Sequence, residues 1–258
     1  MLQEERLLLI RNLLATFSRV SVDRIVHELD VSRETVRRDL VQLEDLGELR
    51  RVHGGAVAVG AAPEPPLAVR LAARQKEKRA IAKAAMALMQ PGQTVFLDSG
   101  STNAIFAEEL ATLCGMIVIT NSLTIALKLS HAGEGRDTRN QTLLLGGEID
   151  AKTQATFGPQ AIAEIHRFRA DLALLSPVGL HPKHGAMSFE HHEAAIARAM
   201  VEQAEHVVIL ADHSKIGQSS RVSYAAPDKI DTLVTDAKAS ALPALAALRK
   251  SCQRVIVA

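Results

Sequence analysis

Two stretches of this chain combine residue types and spacings that do chemistry. The first is Ser32-Arg33-Glu34-Thr35-Val36-Arg37-Arg38. Guanidinium and hydroxyl groups gathered at a helix start suit the DNA major groove. There Arg reads guanine edges, while Ser, Thr and backbone N–H groups take phosphate oxygens. The second is Asp98-Ser99-Gly100-Ser101-Thr102-Asn103. Small hydroxylated residues and a glycine at a helix start offer backbone N–H groups to an anion, and the helix dipole favours it. The stretch lacks the lysine-bearing glycine loop of nucleotide triphosphatases, which argues against ATP hydrolysis.

The first stretch needs a helix-turn-helix to present it. Ser21 caps a first helix whose apolar stripe is Ile25, Val26 and Leu29. Asp30 and Val31 make the turn. Ser32 caps the second helix, with Glu34 and Thr35 in its first turn, and Val36, Leu40 and Leu43 bury one face. Arg33, Thr35, Arg37 and Arg38 are left on the other. Gly47 stops this helix. The run Glu48–Val57 then reads as two short strands around a glycine turn, a wing carrying Arg50, Arg51, His53 and Gly54 toward neighbouring phosphates or the minor groove. A helix over residues 3–17, apolar at Leu7, Ile10, Leu13, Leu14 and Phe17, supports both. The spacing therefore predicts a winged helix-turn-helix domain over 1–59. Ser21, Ser32, Arg33, Glu34, Thr35, Arg37, Arg38, Arg50, Arg51, His53 and Gly54 are its candidate DNA contacts. A plain helical hairpin with a charged face is the bland alternative, and the wing argues against it.

Residues 60–68 contain Pro63, Pro65 and Pro66 and read as a linker. A basic helix is expected over 69–89, packing through Ile81, Ala85 and Leu88, with its Lys and Arg residues read as a solvated face. Beyond Pro91-Gly92, apolar runs alternate with helical segments. The runs are Thr94–Leu97, Ile117–Thr120, Thr142–Leu145, Leu172–Leu175, Val207–Ala211, Thr232–Thr235 and Val255–Val257. The helices are expected near 102–113, 122–131, 159–167, 190–204 and 239–250. This alternation predicts an α/β domain over 69–258, a parallel sheet with helices on both faces. Ligands of such sheets bind at the carboxyl ends of the strands. Those ends carry Asp98 to Thr102, Asn121, Gly146 and Gly147, Ser176 to Gly179, and Asp212 to Lys215. Lys215 is the lysine expected at the ligand edge.

Composition sets limits. The chain has 258 residues, net charge +1 and 23 % charged residues, typical of a globular protein of one or two domains. No apolar run reaches membrane-spanning length, and Glu4 and Glu5 are wrong for a secretory leader, so the cytoplasm is the expected compartment. Cys114 and Cys252 lack metal-ligand spacing. The first sixty residues hold nine Arg, no Lys and ten Asp or Glu, a balance of −1. Such a domain must read DNA with clustered arginines rather than bulk charge. His181, His184, His191 and His192, with Glu190 and Glu193, look metal-like, but adjacent histidines diverge on a helix and HxxxH is absent. No metal and no cofactor are expected. Glu193 is a candidate acceptor for sugar hydroxyls or a first-turn carboxylate.

The stretch VSVDRIVHELDVSRETVRRDLVQLEDLGELRRVHGGAV resembles the DNA-binding domain of DeoR-family bacterial transcription regulators. FLDSGSTN, ITNSL, LLGGEID, LADHSKIGQSSRV and IDTLVTD resemble that family's effector domain, in the expected order. The resemblance implies a Rossmann-like sensor related in fold to ribose-5-phosphate isomerase and CoA transferases. It also implies repression relieved by a phosphorylated sugar or related metabolite. Carried over, Ser99, Gly100, Ser101 and Thr102 form the phosphate cradle with Asp98 beside it; Asn121, Gly146, Gly147, Asp212 and Lys215 line the rest. SFEHHEAAIARAMVEQAEHVVILADHSKIG is most similar to the glycerol-3-phosphate repressor branch. Ser176-Pro177-Val178-Gly179-Leu180-His181 departs from the family, which often has a glycine turn with an acidic residue there.

The expected function is a repressor of a sugar or glycerol catabolic operon. Its partners are double-stranded operator DNA and a phosphorylated sugar or glycerol 3-phosphate-like effector, with no membrane. One helix reads few base pairs, so a homodimer or homotetramer is expected. The alternatives are a sugar-phosphate isomerase-like enzyme with an accessory DNA-binding domain, and a DNA-binding structural protein with a vestigial second domain.

Overall fold

A computed structural model describes residues 2–17, 19–52, 54–58, 64–131 and 140–258. The chain forms two compact units, 1–65 and 66–258. His53 and the expected linker residues 60–63 lie outside the described residues.

The first unit runs α1 (Gln3–Phe17), β1 (Arg19–Ser21), α2 (Val22–Leu29), α3 (Arg33–Asp45), β2 (Leu49–Val52) and β3 (Gly55–Ala58). Its core joins Leu7, Ile10 and Leu14 of α1, Ile25 and Leu29 of α2, Val36, Leu40 and Leu43 of α3, and Leu49 and Ala56 of the wing. These are the positions that the helical and strand periods select. Asp39 is also buried on α3, where Arg6 of α1 clamps it with two hydrogen bonds, Nε to Oδ2 at 2.7 Å and Nη2 to Oδ1 at 3.1 Å. The wing has a third strand that periodicity did not indicate. β1 pairs antiparallel with β3, in sheet order β1-β3-β2. Three residues are too few to show a period. The pairing depends on Gly55, where a Cβ would stand 2.2 Å from the Val20 carbonyl oxygen.

The second unit opens with α4 (Leu67–Ala72) and α5 (Gln75–Ala85), then β4 (Thr94–Leu97), α6 (Ser101–Leu110), β5 (Ile117–Thr120), α7 (Leu123–His131) and β6 (Gln141–Leu144). A hairpin follows, β7 (Glu148–Asp150) and β8 (Ala155–Phe157), then α8 (Pro159–Ile165) and β9 (Ala170–Leu175). The remainder is β10 (Gly179–His181), β11 (Gly185–Ser188), α9 (His191–Glu202), β12 (Ala204–Leu210), β13 (Val222–Ala225), β14 (Thr232–Thr235), α10 (Pro243–Leu248) and β15 (Arg254–Val257). All seven expected runs join one parallel sheet, in order β15-β14-β12-β9-β4-β5-β6. Alternate strand residues feed opposite cores. Val95, Leu97, Val118, Leu172, Leu174, Val208 and Leu210 meet α5, α6 and α7; Phe96, Ile119, Ala173, Leu175, Val207 and Ile209 meet α8, α9 and α10. Strand order reverses between β4 and β9, so the crevice of this sheet opens at their carboxyl ends.

Several expectations need correction. The helix expected over 69–89 begins at Leu67, inside the expected linker, and breaks at Ala73-Arg74, where Arg74 is left-handed at φ 52°. Lys78 explains the break: its Nζ donates to the Arg70 carbonyl at 2.5 Å, one of the last four carbonyls of α4, which have no intrahelical partner. The helix expected near 239–250 is a 3-10 segment, Ala237–Ala241, restarted as α10 by Pro243 at its first turn. The expected helices over 102–113, 159–167 and 190–204 end earlier, at Leu110, Ile165 and Glu202. β9 and β12 begin earlier than expected, at Ala170 and Ala204. The β7-β8 hairpin and the antiparallel sheet β10-β11-β13 lie in stretches read as loops. Among the described residues no helix is long and apolar enough to cross a membrane.

Two glycines of the wing separate crowding from backbone strain. Gly55→Ala drives a Cβ into the β1 backbone and is expected to cost at least about 2 kcal/mol. Gly54→Ala meets open space at φ 78° and is expected to cost about 1 kcal/mol from its left-handed backbone alone. Urea unfolding of both variants checks the ranking. Equal costs would contradict the β1–β3 pairing.

Candidate nucleic-acid interface and effector site

In the first unit the core decides which arginines are available. Val36, Asp39, Leu40 and Leu43 face inward, so Arg33, Glu34, Arg37 and Arg38 face solvent. Ser21 Oγ accepts from the Arg24 N–H at 3.2 Å and Ser32 Oγ from the Thr35 N–H at 3.1 Å, the two helix caps. The hydroxyls of Ser32 and Thr35 also lie 2.8 Å apart. Most of the other arginines are committed. Arg33 pairs with Asp23 at 2.7 Å and Arg11 with Glu48 at 2.5 Å. Arg51 donates through both its backbone N–H and Nε to Glu44, tying β2 to α3. Those bonds hold the Glu44 carboxyl below the usual range. Arg37, Arg38 and Arg50 are exposed and form no ion pair among the described residues. Arg33 and Arg51, read from sequence as free contacts, therefore have protein partners. Gly54 turns the wing at φ 78°, and its carbonyl accepts from the Val22 N–H at 2.8 Å. His53 lies outside the described residues.

In the second unit the loops after β4, β5, β6, β9 and β12 are wired together. The Ser99 N–H donates to Asn121 Oδ1 at 3.0 Å, and Asn121 Nδ2 donates to the Thr156 carbonyl at 3.0 Å. Thr156 Oγ1 donates to the Leu145 carbonyl at 2.8 Å. Asp98 accepts from Asn103 Nδ2 and, at 3.2 Å, from the Ser176 N–H, clipping the β4 loop to the β9 loop. At Gly100 a Cβ would come within 2.8 Å of the Ser176 Cβ, so these loops approach at a glycine. The Ser176 hydroxyl is buried there without a partner among the described residues. The loop after β12 meets β10 where the Gly217 N–H donates to the Leu180 carbonyl at 2.7 Å.

The N–H groups of Ser101, Thr102 and Asn103 precede the first intrahelical bond of α6, from Ala104 to Gly100. Lys78 stands beside them. It is 3 % exposed, and its Nζ donates to Ser101 Oγ at 2.8 Å. Burial pushes its pKa down to about 8; Lys215, Arg70 and Arg74 push the same way, and Asp212 opposes them. Asp212 caps the turn after β12, accepting from the Ser214 N–H at 2.9 Å, and its Oδ1 lies 3.7 Å from Arg74 Nε. Four cations thus share one neighbourhood with one carboxylate beside the open end of α6. Positive charge gathered at an open helix start suits an anion.

Asp98, Ser99, Gly100, Ser101, Thr102 and Asn121 are brought together with Asp212 and Lys215. Gly146 and Gly147 instead serve close packing. The Gly146 N–H donates to Glu164 Oε2 at 2.8 Å, and a Cβ on Gly147 would lie 2.4 Å from the Phe157 carbonyl. Glu193 accepts from Ser188 Oγ at 2.6 Å. Reading the basic helix as solvated missed Lys78, Arg70 and Arg74. A signal was present: Lys78 precedes Ile81 and Ala85 by three and seven residues, so it lies on the apolar face of its helix.

Residues 6–61 match the family described as DeoR-like helix-turn-helix domain, and residues 73–237 match the DeoR C terminal sensor domain. The HTH-type transcriptional repressor GlcR of Bacillus subtilis (strain 168) is 35 % identical over 237 residues, 92 % of this chain and 89 % of its own. The glycerol-3-phosphate regulon repressor of Escherichia coli (strain K12) is 30 % identical over 218 residues, 84 % of each chain. The HTH-type transcriptional regulator GlpR of Haloferax volcanii is 34 % identical over 237 residues, 92 % of this chain and 91 % of its own. A solved ribose 5-phosphate isomerase A from Methanocaldococcus jannaschii covers 55 % of each chain at 17 % identity and a TM-score of 0.39, too low to carry an argument. With a helix-turn-helix whose unpaired arginines face outward and a sensor domain matched over most of its length, this chain belongs to the DeoR family and is a DNA-binding transcriptional regulator, not an enzyme.

Proposed function

We propose that the chain is a repressor of a sugar or glycerol catabolic operon. It holds operator DNA through α3 and the wing, and releases it when a phosphorylated sugar or polyol binds at the carboxyl ends of β4, β9 and β12. The observation that carries the effector half is the buried Lys78 ammonium, bonded to Ser101 at the start of α6 amid Arg70, Arg74 and Lys215. A phosphate dianion there receives backbone N–H groups of α6, the hydroxyls of Ser99, Ser101 and Thr102, and the charges of Lys78 and Lys215. Asp212 orients Arg74. Asn121 holds the Ser99 loop, Gly146 and Gly147 let the adjoining loop pack closely, and Glu193 stands at the sugar end. The relatives named for glycerol 3-phosphate and for transcriptional repression support this class of effector and this sign of regulation.

On the DNA side, Arg37 and Arg38 read base edges, with Ser32, Thr35 and the α3 N-terminus on phosphate. Arg33 and Glu34 flank them, Arg50 and His53 take the backbone beside the wing, and Arg51 positions it. Ser21 and Gly54 set the entry geometry of α2. Two such helices on repeated half-sites require a homodimer or homotetramer. Release requires the metabolite to prefer one of two conformations, typically by about 1–3 kcal/mol. The protein acts in the cytoplasm, where both its ligands are found.

Arg37→Ala is expected to weaken operator binding by about 1–3 kcal/mol and to relax sequence preference. Arg50→Ala is expected to weaken all sequences alike and lower the salt slope by about one. Anisotropy titrations at several salt concentrations check both. An Arg37→Ala protein binding operator as tightly as wild type would sink the recognition-helix assignment.

The effector site is tested by thermal shift with glycerol 3-phosphate, fructose 1-phosphate and ribose 5-phosphate. At a hundred times its dissociation constant a ligand adds about 2.7 kcal/mol of stability. Lys78→Met is expected to abolish that shift while leaving the free protein as stable as wild type or more so, because a costly buried charge is gone. A shift that survives in Lys78→Met, or none from any phosphorylated compound, would remove the effector assignment.

The pH dependence follows from the Lys78 shift. Its folded pKa of about 8 lies below the ordinary value of about 10.4. Between those values the unfolded chain holds more protons, so the stability of this unit rises with pH across that window. A bound dianion favours the charged ammonium. Effector affinity is therefore full below about pH 8 and falls as pH rises through it, which calorimetry at pH 7 and pH 9 will read.

A further inference from the structure

We propose that Asp150, His192 and Glu193 form a binding site for a divalent transition-metal ion, Zn²⁺ in the first instance, where the β7-β8 hairpin meets the start of α9. The site does not depend on the effector reading, although it shares Glu193 with the sugar end proposed there. One imidazole nitrogen and two carboxylate oxygens, one from each residue, lie within 4.8 Å of one another, and all three residues are half-buried. Zinc takes nitrogen and oxygen donors at about 2.0–2.2 Å, so its ligand atoms stand roughly 3.4 Å apart.

A second observation points to a ligand. His192 Nε2 is shut off from solvent and has no hydrogen-bond partner among the described residues. A buried ring nitrogen without a partner is uncommon in a folded protein, and an ion bound by this imidazole gives its burial a reason. The surroundings also hold the donors in place. The ring of His192 rests on Phe157 with centroids 4.5 Å apart. Asp150 accepts from the Lys152 N–H and from Thr153 Oγ1, both at 2.9 Å, and Glu193 accepts from Ser188 Oγ at 2.6 Å. Such outer contacts orient ligands and are part of how metal sites are built. No Lys or Arg forms an ion pair with Asp150 among the described residues. One nitrogen and two oxygens suit zinc or manganese over magnesium, which prefers oxygen alone. Three protein ligands leave the remaining positions to water or to a small ligand.

The test uses the full chain, stripped with chelator and free of phosphorylated metabolites. Zn²⁺ is titrated by calorimetry, and Co²⁺ is followed by its visible absorption. The expected result is one ion per chain, with binding at least about tenfold weaker in His192→Ala and in Asp150→Asn. Lys78→Met should bind the ion as wild type does, which separates this site from the effector cluster. His184→Ala should also bind normally, which excludes the stacked His181–His184 pair, whose ring centroids lie 4.8 Å apart. Asp150→Asn keeps the hairpin acceptor and serves as the deciding variant if His192→Ala fails to fold. Unchanged affinity in Asp150→Asn, loss only in His184→Ala, or no ion bound by the wild-type chain would each overturn the proposal.

Discussion

The charged groups of the second unit are arranged around one buried ammonium. Lys78 brings an ammonium group onto the apolar face of α5, where an unpaired charge would be costly. Its hydrogens go to the Arg70 carbonyl and to Ser101, so the same group ends α4, breaks the chain at Arg74 and touches the start of α6. The break leaves Arg74 left-handed and within reach of Asp212 on the far side of the crevice. Burial depresses the Lys78 pKa, and Lys215, Arg70 and Arg74 add to that against Asp212. In the proposed effector site, the cost of burying this group in the free protein would return as affinity for an anion.

The first unit solves the opposite problem. Its charge balance is slightly negative, yet it must meet a polyanion. Ion pairs sort the arginines. Arg6 holds buried Asp39, Arg11 holds Glu48, and Arg51 holds Glu44. Each fixes one part against another: α1 to α3, α1 to the turn between α3 and β2, and β2 to α3. Arg37, Arg38 and Arg50 are left with no protein partner among the described residues, and they project from elements that the others have fixed. Specific reading of DNA then comes from geometry rather than from net charge.

Much of this was legible in the sequence because it is local. The caps at Ser21 and Ser32, the apolar repeats of α2 and α3, the glycine that ends α3 and the seven strand runs are set by neighbours a few residues away. Less legible were β1, the β7-β8 hairpin and the β10-β11-β13 sheet. Strands of three or four residues carry almost no period, and their partners lie far along the chain. The partners of Arg33 and Arg51 were hidden for the same reason: an exposed arginine looks alike in sequence whether or not a carboxylate waits opposite.

By itself the sequence determined the two fold types, the strand ends that carry hydroxyls and glycines, and the basic face of the recognition helix. Each follows from side-chain periodicity and from the steric needs of turns. Only the tertiary structure decided which of those strand ends meet. β4, β9 and β12 are adjacent in the sheet though widely separated in sequence, so their loops converge with α5 around Lys78. It likewise brought His192 and Glu193 close to Asp150. Periodicity says which face of an element is buried, whereas the order of strands says what that face is buried against.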